Sequence, residues 1–217
     1  MIYNIFSNFH SEKGYIAKSI PNSNLDFVIR EILQATGHKT EFIKISHHNI
    51  RPCLGCFKCV STNRCVQDDE MNKFLEKIIE AQGIVIGGFP TFFSLNALTK
   101  TFLERWYPLK HRRMLTHGKY GVTVAGGFRD AAKVKEYINS FFKWYQMDLV
   151  GDIQISGNAP CLFCGYGEDC LYSNVPLFYG SNRIRPEMFF QAKEDKDLLE
   201  KARSLGRKLG EKVLIKA

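Results

Sequence analysis

Cys53, Cys56, Cys59 and Cys65 stand within thirteen residues of one another, spaced C-x2-C-x2-C-x5-C in a chain of 217 residues. Three thiolates separated by single helical or turn steps can wrap the corners of one cuboidal iron–sulfur cluster, with the fourth arriving from the next turn. Structural zinc sites usually split their ligands into two pairs a dozen or more residues apart, and this run has no such separation. The spacing favours iron–sulfur over zinc, with redox thiols as the third reading. A second group, Cys161, Cys164 and Cys170, follows C-x2-C-x5-C with glycines at 165 and 167 for a tight turn. Three thiolates bind zinc with a fourth histidine, or a cluster with a fourth residue or an open iron. Asp169 lies nearby as a fourth ligand, and His111 or His117 would serve if the chain folds back. Zinc, a second cluster, redox-active thiols and buried structural cysteines all stay open for this group.

The elements that must position these thiols alternate. Ile2–Phe6 reads as a strand, followed by a polar loop from Ser7 to Asn24 and a helix over Leu25–Ala35 that stops at Gly37. Thr40–Ile45 alternates like a strand, the cysteine loop follows, and Asp68-Asp69 caps a helix from Glu70 to about Gln82. Ile84–Ile86 is a buried strand ending in Gly87-Gly88, Leu95–Leu109 a helix, and Tyr120–Ala125 a strand ending at Gly126-Gly127. Asp130–Gln146 reads as helix, Asp148–Ile155 as strand and Lys193–Leu214 as a long charged helix. Such alternation builds a parallel sheet with helices on both faces, and five strands of this kind suggest a flavodoxin-like α/β fold of order 2-1-3-4-5. The chain then divides into residues 1–156, carrying the cysteine loop at 50–69, and a C-terminal extension of 157–217. Ligands of such sheets sit beyond the carboxyl ends of the strands, here Ser7–Ser11, Gly87–Ser94 and Ala125–Arg129.

The composition is that of a globular domain, 45% apolar and 13% aromatic, with no apolar run long enough to span a membrane. The N-terminus lacks a basic region followed by an apolar stretch, which points to the cytoplasm. There thiols stay reduced, and seven cysteines in two tight groups favour cofactor ligation over disulfides. The net charge of +8 suits phosphate-bearing cofactors and acidic electron-carrier proteins. Lys110-His111-Arg112-Arg113 is the only basic cluster and reads as a solvated face; without a helix-turn-helix or aromatic-interleaved motif, nucleic acid is not an expected partner. His47 and His48 diverge at a strand end and make a poor ligand pair. Trp106 and Tyr107 read as packing or as a wall of the acceptor site, and Phe141, Phe142, Trp144 and Tyr145 as core or oligomer interface. No Ser-His-Asp or paired-carboxylate arrangement follows from the spacing.

From Ile50 the chain runs I-R-P-C-L-G-C-F-K-C-V-S-T-N-R-C-V-Q-D-D-E-M, and from Ile84 I-V-I-G-G-F-P-T-F-F-S-L-N-A-L-T-K-T-F-L-E-R. These segments resemble the iron–sulfur flavoproteins of the NADPH-dependent FMN reductase superfamily, through the compact cysteine run, Asp68-Asp69, the G-x-P-x-aromatic loop and the helix from Lys100 to Arg105. The resemblance implies FMN on a flavodoxin-like fold, a [4Fe-4S] cluster on Cys53, Cys56, Cys59 and Cys65, and a homo-oligomer, a dimer or tetramer, in which cluster and flavin of neighbouring subunits exchange electrons. It further implies that Pro90, Thr91, Phe92, Phe93 and Ser94 lie along the isoalloxazine ring. Phe92 stands where the family commonly has tyrosine, which removes a hydroxyl contact and keeps stacking. Ala125, Gly126 and Gly127 would approach the other side of the ring, where bulky side chains are excluded. The phosphate loop departs from the family pattern. Ser7 and Ser11, with Ser23 and Asn24 ahead of the first helix, replace the usual Ser-Pro-Arg and Gly-Asn-Thr segments, though Ser23 or Asn24 also serves as a helix cap.

The leading expectation is a redox enzyme that takes single electrons from a ferredoxin-like donor through the cluster to FMN and on to a small acceptor. Its flavin does the chemistry, so no catalytic side chain is named. The alternatives are an NAD(P)H-dependent FMN or quinone reductase with a structural metal site, an electron carrier without its own substrate, and a metal- or redox-sensing protein. The glycine-proline loop and the Gly126-Gly127 turn argue against the last.

Overall fold

The computed structural model describes residues 2–6 and 23–215. The expected phosphate contacts at Ser7 and Ser11 lie outside the described residues. Five strands, β1 (Ile2–Phe6), β2 (Thr40–Lys44), β3 (Gly83–Gly88), β4 (Tyr120–Gly127) and β5 (Asp148–Ser156), form one sheet in the order β2-β1-β3-β4-β5. Every neighbouring pair is parallel, and Val150 is an extra residue opposite the Gly121–Val122 step.

Side chains leave a strand alternately on its two faces, and the core follows that rule. Ile84 and Ile86 of β3 enter one layer with helices α2 (Met71–Glu80), α3 (Ala97–Glu104) and α4 (Ala131–Trp144), filled by Phe74, Phe102 and Phe142 of these helices and by Trp106 just past α3. Val85, with Val122 and Val124 of β4, faces the other layer, built from α1 (Asn24–Ala35) and α6 (Lys196–Ile215). Trp106 is fully buried and both Phe141 and Tyr145 pack edge-on against it, so these rings are core, whereas Trp144 is exposed. No helix among the described residues is long and apolar enough to cross a membrane.

The single helix expected over Leu95–Leu109 is broken. Ser94–Leu95 pairs with Pro90–Thr91 in a short hairpin, α3 ends at Glu104, and a tight turn covers Tyr107–Lys110. Pro108 supplies the reason: it has no N–H to give to Glu104, and its ring crowds that carbonyl. The long C-terminal helix starts three residues later than expected, where Asp195 accepts the Leu198 N–H at 2.9 Å.

The helix α6, which the division at 156/157 sets in the C-terminal extension, packs into the sheet's own second layer. Leu198, Ala202, Leu205, Leu209 and Val213 pack with Val28, Ile29, Ile32 and Leu33 of α1 in one core. Residues 157–189, including α5 (Val175–Tyr179), gather around a separate small core of Ala159, Leu162, Val175, Met188 and Phe189, while Ala192 already belongs to the α1–α6 core. The helices α1 and α6 meet backbone to backbone: a Cβ on Gly206 would lie 2.2 Å from the Ile32 carbonyl oxygen, and one on Gly210 2.2 Å from that of Thr36. Gly206→Ala should therefore destabilise the protein even though alanine gains about 1 kcal/mol of helix propensity. Overpacking against an immovable carbonyl outweighs that gain, and a melting temperature lower by roughly 3–6 °C is expected in thermal unfolding. An unchanged or raised Tm would mean that the two helices can separate freely.

Candidate functional site

Two loops at the carboxyl edge of the sheet carry the residues expected at a flavin. The hairpin after β3 turns through Phe92 and Phe93, both left-handed with φ of 48° and 65°. That conformation costs a non-glycine residue roughly 1–2 kcal/mol, yet both rings are held outward, 92% and 70% exposed. Asn96 fixes the base of the hairpin, donating its N–H to the Phe89 carbonyl at 3.0 Å. Thr91 and Ser94 are exposed beside the tip and Pro90 is half-buried.

In the second loop, the expectation for Ala125–Gly127 changes. Ala125 and Gly126 are buried, Ala125 in the α2–α4 layer and Gly126 against Leu25 and Ile155, so their small size serves packing. Gly127 alone reaches the surface, and a Cβ there would lie 2.5 Å from Pro90 Cδ. The missing side chain thus makes room for the hairpin, and the two loops lock together. Ser23 caps α1, accepting the Asp26 N–H at 3.1 Å. Asn24 gives its amide to the Phe190 carbonyl at 2.8 Å and accepts the Ala192 N–H at 2.9 Å. Both side chains are engaged within the protein, tying α1 to the segment before α6.

The first cysteine loop is closed at its base by a buried ion pair. Arg105, the C-cap of α3, is 1% exposed and grips Asp69 with both terminal nitrogens, at 2.6 and 2.9 Å. The same guanidinium donates to the Arg51 carbonyl at 2.7 Å and to Cys65 Sγ at 3.4 Å. Arg51 closes the ring, its N–H reaching Asp69 at 3.0 Å. Asn63, left-handed at φ 55°, anchors the far side by donating to the carbonyls of Pro108 and His111. Cys53, Cys56, Cys59 and Cys65 then line one small pocket with Arg105 and Tyr107. Burial pushes the Cys59 thiol up; its own backbone hydrogen bond opposes this, and the neighbouring charges of Cys65, Cys53 and Cys56 add to it. Arg105 Nε is buried there without a hydrogen-bond partner. Asp69 caps α2 as its place in the sequence suggests, accepting the Met71 N–H at 3.2 Å; its larger role with Arg105, like that of Asn63, leaves no trace in spacing.

All seven cysteines are free. Among the described residues, no group of three or more His, Cys, Asp or Glu side chains is disposed to hold a single metal ion. Cys161 is half-buried, Cys164 and Cys170 are exposed, and Asp169 is exposed beside them. Neither distant histidine reaches them. His111 sits against Tyr107, 4.3 Å between ring centres, with its carbonyl held by Asn63 of the first cysteine loop. His117 precedes β4 while Cys161 follows β5, so roughly 20 Å of parallel strand separates them. His47 is exposed and His48 is tied to Glu70 at 3.0 Å.

The model of the family described as NADPH-dependent FMN reductase matches residues 15–159. The chain belongs to that family. It is accordingly a flavin oxidoreductase on a flavodoxin-like α/β fold, and FMN is the family's flavin. An iron-sulfur flavoprotein of Methanocaldococcus jannaschii is 31% identical over 137 residues, 61% of this chain and 71% of that protein. One of Archaeoglobus fulgidus is 34% identical over 130 residues, 58% of each. A flavodoxin from the domain Archaea superposes with a TM-score of 0.52 at 11% identity, covering 99% of both chains, which speaks for the fold alone.

Burial works to raise the Asp69 pKa, but hydrogen bonds from Arg105 and the Arg51 N–H, with the charge of Arg105, hold it below its ordinary 3.8. A carboxylate depressed in the folded state contributes stability that is complete above the unfolded value and lost as the pH falls through the folded one. Protection of the Arg51 and Met71 amides, both donors to Asp69, measured relative to their intrinsic exchange rates, should therefore hold above about pH 3.8 and fall only as the pH drops below it. Asp69→Asn, which leaves the buried Arg105 unpaired, should cost about 3–5 kcal/mol at neutral pH in denaturant unfolding. It should also flatten the acid limb in that window; an acid limb identical to wild type would show that the pair does not hold the loop.

Proposed function

We propose that this flavin oxidoreductase receives electrons one at a time from a protein donor of the ferredoxin type, through a [4Fe-4S] cluster, and passes them by way of FMN to a small acceptor. The observation that carries the proposal is the pocket where Cys53, Cys56, Cys59 and Cys65 converge around a buried guanidinium. Arg105 already donates to one cysteine sulfur and keeps a buried Nε–H unpartnered, as a donor facing a cluster's sulfur atoms would. Hydrogen bonds and positive charge of this kind raise a cluster's reduction potential. The iron-sulfur flavoprotein names of both archaeal relatives support the same reading.

When bound, a cluster supplies one-electron transfer and FMN converts single electrons to pairs. The chain's own residues bind and exclude. Phe92 and Phe93 offer faces for the isoalloxazine ring, Thr91 and Ser94 offer hydroxyls, and Pro90 wedged at Gly127 sets the gap between the two loops. Ser7, Ser11, Ser23 and Asn24 are the proposed phosphate end, at the N-terminus of α1, whose dipole favours an anion. Leu54, Phe57 and Val66 leave the cysteine loop with exposed apolar side chains, which suits a cover by a second copy in a homo-oligomer. The net charge of +8 suits an acidic donor, and seven free thiols suit the cytoplasm. A second reading, direct hydride transfer from NAD(P)H to FMN, is favoured by the family's own description.

Protein purified without oxygen should carry about one FMN and at least about four irons per chain. Cys56→Ser should lose iron while keeping its flavin, and reduced ferredoxin should then no longer bleach that flavin. Undiminished flavin reduction by NADPH in the wild type and in Cys56→Ser alike would replace the proposal with the second reading. Phe92→Gly should weaken FMN binding roughly 3–10-fold, the worth of one aromatic contact. Its Tm should not fall, because glycine relieves the left-handed φ of 48°. Unchanged FMN affinity would move the ring site away from the hairpin.

A further inference from the structure

We propose that Cys161, Cys164 and Cys170 hold a second iron–sulfur cluster, bound by three thiolates with its fourth iron position open to solvent or to Asp169. This goes beyond the proposed function and does not rest on it. The first observation is that each of the three sulfurs already accepts one backbone N–H. Asn174 donates to Cys161, Tyr166 to Cys164 and Tyr172 to Cys170, each at 3.4 Å. A neutral thiol is a weak acceptor, so three such dipoles aimed at three sulfurs gain most when the sulfurs carry charge. Hydrogen bonds to ligand sulfurs are also one of the means by which proteins set a cluster's potential.

The segment is built to hold this arrangement. The Cys164 N–H is fixed on the Pro160 carbonyl at 3.1 Å and the Cys170 N–H on that of Tyr166 at 2.9 Å. Gly167 lies so close to the first cysteine that a Cβ there would stand 2.1 Å from the Cys161 carbonyl oxygen. Glu168 is turned away from the sulfurs' needs, accepting the Ile184 N–H at 2.7 Å. Beneath the turn, Leu162 and Ala159 anchor the chain in the small core of residues 157–189.

The ligand count separates cluster from zinc. A closed structural zinc site needs a fourth side chain, and His111 and His117 both lie elsewhere. A cluster can be held by three thiolates with one iron left open. The site is joined to the flavin loop. Phe128, just past Gly127, packs edge-on against Phe178 of α5 at 4.8 Å, and the Arg129 guanidinium stands 4.3 Å from the same ring. The second centre therefore stands on the β4–β5 side of the sheet edge, whereas the first stands beside α3.

The test is the iron, sulfide and zinc content of the full chain purified without oxygen, compared with Cys164→Ser, Cys170→Ser and Cys56→Ser. Cys164 and Cys170 are exposed, and circular dichroism with flavin content confirms that the variants are folded. Either substitution in the second group should remove the iron and sulfide of that group, roughly half of the total when the first group also carries a cluster and all of it when it does not, and leave FMN bound. Zinc at about one per chain that disappears with Cys164→Ser would overturn the cluster, as would iron and sulfide unchanged in both variants. If the first-site reading fails instead, Cys56→Ser leaves the iron unchanged while Cys164→Ser still removes it.

Discussion

The contact between Asp69 and Arg105 is the constraint on which the cysteine loop depends. The two groups meet with side chains 4% and 1% exposed, where an unpaired charge would be prohibitive. A buried pair of this kind rarely stabilises more than a well-packed apolar pair would. What apolar side chains cannot do is reach three segments at once. Arg105 touches the start of the loop at Arg51, its end at Asp69 and a thiol at Cys65. Its place at the end of α3 fixes the loop to the layer of helices that also carries the hairpin. The geometry of the four thiols and that of the Phe92–Phe93 hairpin are thereby tied to the same layer.

A comparable economy governs the other end of the site. Gly127 is small so that Pro90 can fit, and the loops after β3 and β4 cannot move independently. Held between them, two phenylalanines occupy a backbone conformation that disfavours them and a position that leaves them in water. Strain and exposure at the same residues are the reverse of what stability alone would select, and such conflicts concentrate at functional surfaces.

Much of this was legible in the chain. Ile84–Ile86 could only be a buried strand, and the apolar spacing of Leu25–Leu33 only a helix with one wet face, so the alternating architecture follows from short-range pattern. The cysteine spacing marked the loop in which four thiols line one pocket. What stayed hidden depends on contacts between distant residues. Pro108 breaks a helix whose apolar rhythm continues through Leu109. Ala125 and Gly126 look like open backbone until α1 and the α2–α4 layer are packed on them. Arg105 and Asn63 are ordinary surface types by composition and become buried anchors only because of what folds over them. His111 and His117 seemed available to the second thiol group until the topology set them on other parts of the molecule.

The pairing of α1 with α6 has a consequence for how the chain is made. Arg203 reaches Glu31 across 172 residues of sequence, and the apolar faces beneath them are separated by a similar length. A ribosome adding roughly 5–20 residues per second needs on the order of 10–30 s to supply the second helix after the first has emerged. As the strands emerge in that interval, Val28, Ile29, Ile32 and Leu33 gain the cover of Val85, Val122 and Val124, but the side that meets Leu198, Ala202, Leu205 and Leu209 stays open until the end. The nascent protein therefore spends its synthesis with one apolar flank of this layer bare. Its yield in a cell would be set by whatever shelters that flank until the last helix closes over it.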